Sequence, residues 1–318
     1  MQRYKYIYGP VLSRRLGRSL GVDVIPFKTC SYDCVYCLLG RTTRHTTEVR
    51  EYVPAEDVLD ELARKLAEDR PDAISFAGSG EPTLNSRLGE IISGIKAMTD
   101  VPVVVFTNSS LLWMPEVRAG LAGADIVSPS LDAVLPDSAE AVNRLAPGLD
   151  VEKIFGGLQT FCREFRGRIW LEVLLAAGIN DRPQDIEAIA KAVARLDNIE
   201  CTQLNTVVRP PAEKHVGAVG RRGLERIAAR LPGRVEIIAP FFGRAEETHS
   251  RNKIGPDDVA GLVERHPSTL EGIAEGLDSG IEETAEIVRR LVSEGVLVET
   301  DRDGKAFYIV PHPDGAED

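Results

Sequence analysis

Three cysteines within eight residues constrain this chain more than any other feature of its sequence. They are Cys30, Cys34 and Cys37, in the run Lys-Thr-Cys-Ser-Tyr-Asp-Cys-Val-Tyr-Cys over residues 28–37. This spacing lets one short loop direct three thiolates at one object. Buried structural cysteines have no reason to group in this way. The loop therefore predicts a metal or cluster site.

The kind of site follows from the ligands available. A zinc ion would need a fourth cysteine or histidine nearby, and His45 is the close candidate. Iron–sulfur clusters are held by thiolates at close Cys-x-x-Cys intervals, and a cluster with three protein ligands keeps one iron open. A disulfide is disfavoured because three thiols cannot pair among themselves, and Cys162 and Cys201 are distant in sequence.

The loop resembles the signature of the radical SAM superfamily, Cys-x3-Cys-x-aromatic-Cys, with Tyr36 at the aromatic position. The resemblance extends over most of the first 240 residues. It implies that Cys30, Cys34 and Cys37 hold a 4Fe-4S cluster whose open iron chelates S-adenosylmethionine (SAM). It also implies reductive cleavage of SAM to methionine and a 5′-deoxyadenosyl radical, with an electron donor such as flavodoxin or ferredoxin.

Alternating apolar runs and helical patterns predict the fold. We expect strands at 20–27, 73–77, 103–106, 125–128, 169–175, 202–206 and 235–238, with amphipathic helices between them. Strands that alternate with helices form parallel sheets. Six or seven such units predict an α/β fold with a partial (β/α)6-type TIM barrel rather than a closed eight-fold barrel. The carboxyl ends of the strands should carry the site.

Polar turns follow several of these strands, and the resemblance assigns them to SAM. The turn Gly78-Ser79-Gly80-Glu81-Pro82 resembles the family's Gly-Gly-Glu-Pro element, which binds the SAM amino group, with Ser79 in place of the usual second glycine. A glycine-rich turn alone would be weak support, but it follows a strand about forty residues after the cysteines.

Further SAM-binding positions follow from the same resemblance. Thr107, Asn108, Ser130 and Asp132 match positions that contact the carboxylate and ribose, with an ordinary turn or helix cap as the alternative. Glu172 lies inside an apolar strand and matches a polar position facing SAM, with a satisfied structural ion pair as the alternative. Catalytic side chains acting on the substrate are not identifiable from these patterns.

Arginines give the one indication of the substrate. From residue 1 to 50 the chain has nine Lys/Arg and three Asp/Glu, although its net charge is −11. Arginine suits bidentate recognition of phosphate or carboxylate, so we expect an anionic substrate; surface ion pairs are the alternative explanation. The arginines that suggest this site are Arg14, Arg15, Arg18, Arg41, Arg44 and Arg209.

Residues 256–310 differ in character from the preceding 1–255 and predict a second domain, followed by a flexible tail at 311–318. A helix at 257–264, a helix capped at Ser268, a longer helix ending at Gly295 and a hairpin around Asp303-Gly304 resemble a winged helix. Thirteen Asp/Glu against five Lys/Arg make DNA binding unlikely. We interpret the module as a protein contact or a substrate lid that the barrel does not need in order to fold.

The chain is predicted to be cytoplasmic, because it has free thiols, no signal-peptide pattern and no apolar run long enough to cross a membrane. Within the superfamily it looks most like the iron–sulfur oxidoreductases grouped with wyosine-forming tRNA enzymes, but two remaining cysteines cannot hold a second cluster of that kind. Two other functions stay open: an iron–sulfur sensor that uses the winged helix, and a tRNA-modifying enzyme. The sequence leaves the substrate and the oligomeric state undetermined.

Overall fold

A curved, mostly parallel sheet of nine strands forms the frame of the molecule. The computed structural model describes residues 4–209, 211–239, 254–302 and 305–311. Seven parallel strands lie side by side, and their order across the sheet is their order along the chain. An antiparallel strand precedes them at one edge. The expected partial α/β barrel is confirmed.

The strands carry the following labels: β1 Ile7–Ser13, β2 Gly17–Val22, β3 Thr29–Cys30, β4 Arg44–His45, β5 Ala73–Phe76, β6 Val103–Thr107, β7 Ile126–Pro129, β8 Arg168–Ala177, β9 Ile199–Thr206, β10 Gly217–Ala218, β11 Val235–Ile237, β12 Val298–Arg302 and β13 Lys305–Ile309. The order along the main sheet is β1-β2-β5-β6-β7-β8-β9-β11, and β10 pairs with β8. Short two-stranded sheets join β3 to β4 and β12 to β13.

The helices are α1 Ala55–Glu68, α2 Leu88–Met98, α3 Pro115–Leu121, α4 Pro136–Val142, α5 Val151–Glu164, α6 Pro183–Val193, α7 Arg221–Ala228, α8 Pro256–Arg265, α9 Leu270–Gly276 and α10 Ile281–Ser293. Helix α1 shows why they form where they do. It starts after Pro54, carries Glu56 and Asp57 in its first turn, and buries Val58 and Leu62 on one face.

The amino-terminal strands differ from expectation. Strand β1 was not predicted, and β2 starts three residues before the expected strand and ends at Val22. The chain leaves the sheet there, and the expected continuation to residue 27 is wrong. Pro26 lacks an N–H group and could not extend the hydrogen-bond ladder. Residues 23–27 instead lead the chain to the cysteine loop.

The two edges of the sheet come together on one side. Strand β1 is one edge and β11 is the other. Arg14, in the turn after β1, donates a hydrogen bond from Nη1 to the carbonyl oxygen of Ile238 at 2.7 Å, just beyond β11. A sheet whose first hairpin reaches its last strand must curve strongly. The barrel therefore has an inside, and polar side chains can meet there.

Apolar residues fill two layers of the barrel. The large core lies between the sheet and its helices and includes Phe76, Ile91, Leu158 and Leu171. A smaller cluster of Ala73, Val104, Ile126, Trp170 and Cys201 forms separately, with Leu16 packed against it. Its members alternate with the large-core residues along the same strands, so they face the inside of the curve. Leu16 belongs to the first hairpin, which therefore closes the amino-terminal end of the barrel.

The carboxyl-terminal helices and hairpin form a further apolar cluster around Val259, Val263, Ile273 and Leu291, against which Val11 of β1 also packs. The three expected helices and the hairpin strands are present, but Thr269 rather than Ser268 caps α9, because its side chain accepts the Gly272 N–H. The likeness to a winged helix, and the domain boundary at residue 255, remain predictions.

One contact changes the expected independence of this module. Arg265 at the end of α8 is 7% exposed and pairs with Asp23, which is also 7% exposed, at 3.1 Å. Separating two buried ionic partners is strongly destabilising. The barrel and the carboxyl-terminal helices therefore depend on each other. The hairpin turn at 303–304 and the tail from residue 312 lie outside the described residues.

Among the described residues, no helix combines the length and the hydrophobicity that crossing a membrane requires.

Candidate functional site

The cysteine loop is held against the turn that follows β5. After β2 the chain turns at Lys28, which adopts a left-handed backbone with φ of 55° and donates its N–H to the Ser79 carbonyl at 2.7 Å. Thr29 then forms a parallel bridge to Gly80. The residues before Cys30 are thus fixed to the glycine turn by backbone contacts, and the two motifs that the sequence separates by forty residues touch.

Gly80 allows this contact because it has no side chain. A Cβ atom on Gly80 would lie 1.9 Å from the Thr29 carbonyl oxygen, closer than any real contact. Glu81 donates its N–H to the same oxygen at 3.2 Å. Gly78 has φ of +139°, a backbone angle that favours glycine. The glycines of this turn therefore serve close backbone approach to the cysteine loop.

All five cysteines are free thiols, and those of the loop are half-buried. Burial raises the pKa of Cys30 to about 12 and that of Cys34 well above its ordinary value. A protonated thiol is a poor ligand, but a bound cation deprotonates it. Three half-buried thiols whose protonated form is favoured suit a group that brings its own positive charge, so the donor set fits an iron–sulfur cluster.

The zinc alternative gains no support in the described part of the chain. His45 is exposed, and its Nε2 lies 3.2 Å from the Ser31 carbonyl oxygen. Among the described residues, no three His, Cys, Asp or Glu side chains, those of the loop included, come together as they would around one ion. Cys162 and Cys201 are buried in two different apolar clusters.

Glu81 is a buried carboxylate that links two strand ends through hydrogen bonds. Its Oε1 accepts hydrogen bonds from the N–H and the hydroxyl of Thr83 and from the Thr107 hydroxyl at 2.7 Å, and its Oε2 accepts the Asn108 N–H at 2.7 Å. Burial raises the pKa of this carboxyl, and the four donors oppose that effect. Glu81 therefore joins the end of β5 to the end of β6, and its oxygens are already occupied.

Two asparagines place amide groups next to the cysteine sulfurs. Asn108 Nδ2 lies 3.6 Å from Cys30 Sγ and 2.9 Å from Ser31 Oγ. Asn143 Nδ2 lies 3.4 Å from Cys34 Sγ. Hydrogen bonds to sulfur ligands are one of the levers that set the reduction potential of a cluster. Sequence reasoning missed Asn143, because it follows α4 in a stretch without any motif.

Asp132 connects the aromatic residue of the loop to the barrel. Tyr36 donates its hydroxyl to Asp132 Oδ2 at 2.5 Å, and Asn143 Nδ2 donates to the same oxygen at 2.9 Å. The other oxygen, Oδ1, accepts the Leu174 N–H at 2.9 Å. Asp132 thus fixes the Tyr36 ring and the Asn143 amide together, beside Cys34.

Glu172 lies inside the barrel in an ion pair. Arg15 Nη1 donates to its Oε2 at 2.6 Å, and Asn205 Nδ2 donates to its Oε1 at 3.0 Å. Burial opposes ionisation, but the Arg15 charge prevails and lowers the pKa of Glu172. The structural ion pair considered from the sequence is therefore what the structure shows. Ser130 bridges to Glu172 through the backbone.

Among the described residues, three of the five non-glycine residues with a left-handed backbone lie around this site, and the other two, Asn198 and Asp278, lie elsewhere. Lys28, Ser109 and Arg144 are non-glycine residues with φ of 55°, 69° and 49°. Each lies next to a site segment: before Cys30, after Asn108 and after Asn143. Such angles are uncommon outside glycine and concentrate where the surrounding structure must place particular groups. Hydrogen bonds that link Asn108 to Glu81 and Cys30, and Tyr36 to Asp132, bring predicted site residues together at one end of the sheet.

The arginines divide into two groups. Arg18 pairs with Asp69, Arg41 with Glu213, Arg44 with Glu48 and Arg15 with Glu172. For these four, the ion-pair explanation holds. Arg14 and Arg209 have no carboxylate partner among the described residues: Arg14 donates to a carbonyl, and Arg209 Nη1 lies 3.1 Å from His266 Nδ1.

Comparison with known proteins gives a family match over more than half of the chain. Residues 24–193 match the model of the Radical SAM superfamily. The chain is 34% identical to a UPF0026 protein of Methanocaldococcus jannaschii over 311 residues, which covers 95% of each chain. It is also 36% identical over 309 residues to a protein of Brachyspira hyodysenteriae named GTPase Obg, covering 96% of this chain but 45% of that one. Among solved structures, a radical SAM methyltransferase from Sphaerobacter thermophilus superposes with a TM-score of 0.49 at 17% identity, covering 69% of this chain and 66% of that one.

Proposed function

The chain belongs to the radical SAM superfamily of enzymes, and we propose that Cys30, Cys34 and Cys37 hold one 4Fe-4S cluster at which SAM binds. When bound and reduced, such a cluster supplies the electron that cleaves SAM and starts radical chemistry. The observation that carries the proposal is the contact between the cysteine loop and the glycine turn, made by Thr29 and Gly80. A sensor would have no need to build a SAM turn against its cluster.

The protein's own groups would hold SAM mainly through backbone atoms. The carboxylates of Glu81, Asp132 and Glu172 are each engaged by several donors. The amino group of SAM would therefore meet the backbone of the turn at 78–80 rather than a free carboxylate. The positions proposed to line the SAM site remain Tyr36, Gly78, Ser79, Gly80, Glu81, Thr107, Asn108, Ser130, Asp132 and Glu172.

A single cluster is favoured over two. Cys162 lies in α5 within the large core, and Cys201 lies in β9 within the smaller cluster around Trp170. Two cysteines in separate clusters are too few to supply three thiolates to a second cluster. This argues against chemistry that needs a second three-cysteine cluster in this chain. A tRNA-modifying enzyme with one cluster stays a secondary candidate, and the reductant would be a small electron-transfer protein such as flavodoxin or ferredoxin.

We further propose that the substrate is anionic and that Arg14 and Arg209 receive it. Neither has a carboxylate partner among the described residues. Burial lowers the pKa of Arg14 to about 10, and the positive charges of Arg209 and Arg15 act in the same direction. Although much of each side chain remains exposed, two cations that repel one another are stabilised when an anion binds between them.

Anaerobic reconstitution with iron and sulfide tests the function. We expect close to four irons per chain in the natural protein, loss of the cluster in Cys34→Ala, and retention in the control Cys162→Ala. We also expect saturating SAM to change the electron paramagnetic resonance spectrum of the reduced cluster, because one iron has no protein ligand.

Two outcomes would contradict the proposal. A stable cluster in Cys34→Ala would remove the assignment of the ligands. An unchanged spectrum at saturating SAM, with the cluster intact, would favour the iron–sulfur sensor.

A further inference from the structure

We propose that Asp23 and Arg265 are positioning residues for the SAM turn, so that the carboxyl-terminal helices set the affinity for SAM. The inference rests on the proposed function, because it assumes that the turn at 78–80 receives SAM. It concerns how this chain holds that turn, through residues that belong to neither the cysteine loop nor the glycine motif.

Asp23 holds the turn by its middle residue. Ser79 donates its hydroxyl to Asp23 Oδ2 at 2.5 Å, and the Ser79 N–H lies 3.3 Å from Oδ1. A Cβ atom on Gly78 would lie 2.8 Å from the same carboxyl group. The carboxylate therefore packs directly against the turn. The Ser79 hydroxyl is the group that a glycine at this position could not offer.

Arg265 holds Asp23 from the other side. Its Nε donates to Asp23 Oδ2 at 3.1 Å, and Nη2 donates to the Lys5 carbonyl at 3.0 Å. Its Nη1 donates to Glu264 Oε2 at 2.9 Å and lies 3.3 Å from the Gly261 carbonyl. Each nitrogen of the guanidinium is engaged, so the planar group has one orientation.

A continuous series of hydrogen bonds runs from Arg265 in α8 through Asp23 to Ser79 in the turn. Arg265, Asp23 and Ser79 are each less than a tenth exposed. In an enclosed place, a charge-assisted hydrogen bond is stronger than in water, and losing one partner leaves the other group without compensation. Burial raises the pKa of Asp23, and the Arg265 charge opposes that effect. Removing the Arg265 charge would therefore favour the neutral acid further, and a neutral carboxyl is a weaker acceptor for Ser79.

The contacts of Arg265 with Asp23 and with the Lys5 carbonyl correspond to two different roles. A structural role would consist of tying α8 to the first residues of the chain through the Lys5 carbonyl. A positioning role requires the effect to reach residues 77–81. Two measurements distinguish them: the dissociation constant of SAM on the reconstituted, oxidised protein, and hydrogen–deuterium exchange of backbone amides.

The variants are Arg265→Gln and Ser79→Ala, with Arg290→Gln as control, since Arg290 is an exposed arginine of the same helical module. We expect Arg265→Gln and Ser79→Ala each to weaken SAM binding about tenfold, the size of a lost hydrogen bond to a charged group, with unchanged iron content. Amide exchange at 77–81 should speed up in both. Arg290→Gln should change neither quantity.

The double variant measures whether Arg265 and Ser79 act on SAM binding independently or through a shared partner. If both residues act through Asp23, Arg265→Gln combined with Ser79→Ala should weaken SAM binding no more than the stronger single change. Fully additive losses would overturn the proposal. So would an Arg265→Gln protein that exchanges faster only at 4–13 and 254–277 while its SAM affinity stays within about twofold.

Failure of this inference can be distinguished from failure of the proposed function. If Arg265→Gln does not fold, Ser79→Ala leaves the ion pair in place and still tests the path. If the natural protein binds a cluster but no SAM, the proposed function fails, whereas the exchange rates at 77–81 still report whether Arg265 positions the turn.

Discussion

Arg14 and Arg209 differ from the neighbouring arginines in what their guanidinium groups contact. Arg41 and Arg44 pair with Glu213 and Glu48 on the surface, where ion pairs contribute little and leave no charge to spare. Arg14 and Arg209 are therefore the two arginines of this group that we propose for an anionic substrate.

Inorganic phosphate is a probe for this charge. We expect phosphate, followed by the line width of its phosphorus resonance at constant ionic strength, to bind the natural protein. Its affinity should fall about fivefold or more in Arg14→Gln and in Arg209→Gln, since each change removes one charge-assisted contact. The control Arg41→Gln should match the natural protein. Equal losses in all three variants would show that phosphate senses only the overall charge.

At the level of residues, the sequence predicted which side chains lie near the site, but it did not predict which side chains they form hydrogen bonds with. Cys30, Gly80 and Asp132 could be singled out because each belongs to a short motif. The partners of the carboxylates could not, because they come from distant elements: Glu172 meets Arg15, 157 residues away. Asn143 and Asp23 carry no local pattern at all, and their roles arise only once the sheet has folded.

At the level of elements, the turn after β5 depends on the absence of a side chain at one position. In Gly80→Ala, the new Cβ would meet a backbone carbonyl, which cannot move aside without displacing the residue before Cys30. We expect this variant to lose cluster binding and to unfold at a lower temperature, as overpacked sites do.

Gly156 is the matched control for this change. It lies in α5, and a Cβ there would have nothing within 4 Å. Gly156→Ala should keep the iron content and gain about 0.5–1 kcal/mol of stability, because alanine favours helix more than glycine does. Iron analysis and thermal unfolding of both variants check this. Full iron content in Gly80→Ala would mean that the two loops can separate without harm.

Comparison of the strands shows which of them apolar patterns in the sequence can predict. Parallel strands such as β6 are buried on both faces and appear as uninterrupted apolar runs, so they were predicted nearly to the residue. Strand β1 was missed because Gly9-Pro10 interrupts its apolar residues and is typical of a turn. Its place in the sheet comes from pairing with β2 and from contact with the carboxyl-terminal helices.

At the scale of the whole molecule, His266 lies where the carboxyl-terminal helices meet the barrel. Its ring is 5.8 Å from that of Tyr8, and its Nδ1 faces Arg209. Burial, together with the charges of Arg209 and Arg265, lowers the pKa of His266 to about 3. The folded protein therefore keeps this imidazole neutral at pH values where the unfolded chain would protonate it.

Stability should consequently fall as the pH drops below about 6.5, the ordinary pKa of histidine. The unfolded state then binds a proton that the folded state refuses, at up to about 1.4 kcal/mol per pH unit until the folded pKa is approached. Thermal unfolding between pH 7.5 and 5.5 should show this slope. His266→Asn keeps an acceptor for Arg209 and should flatten the slope, whereas the exposed-site control His215→Asn should retain it. An identical slope in His266→Asn would assign the acid sensitivity to other groups.

The order of the strands has a consequence for synthesis. Because neighbours along the main sheet follow one another in the chain, the barrel can assemble from its amino terminus while the ribosome is still translating. Asp23, however, meets its guanidinium 242 residues later, on the order of ten to fifty seconds at ordinary elongation rates. A nascent chain thus carries most of the sheet before Arg265 is translated, and α8 then supplies the counter-charge for the carboxylate behind the turn at 78–80.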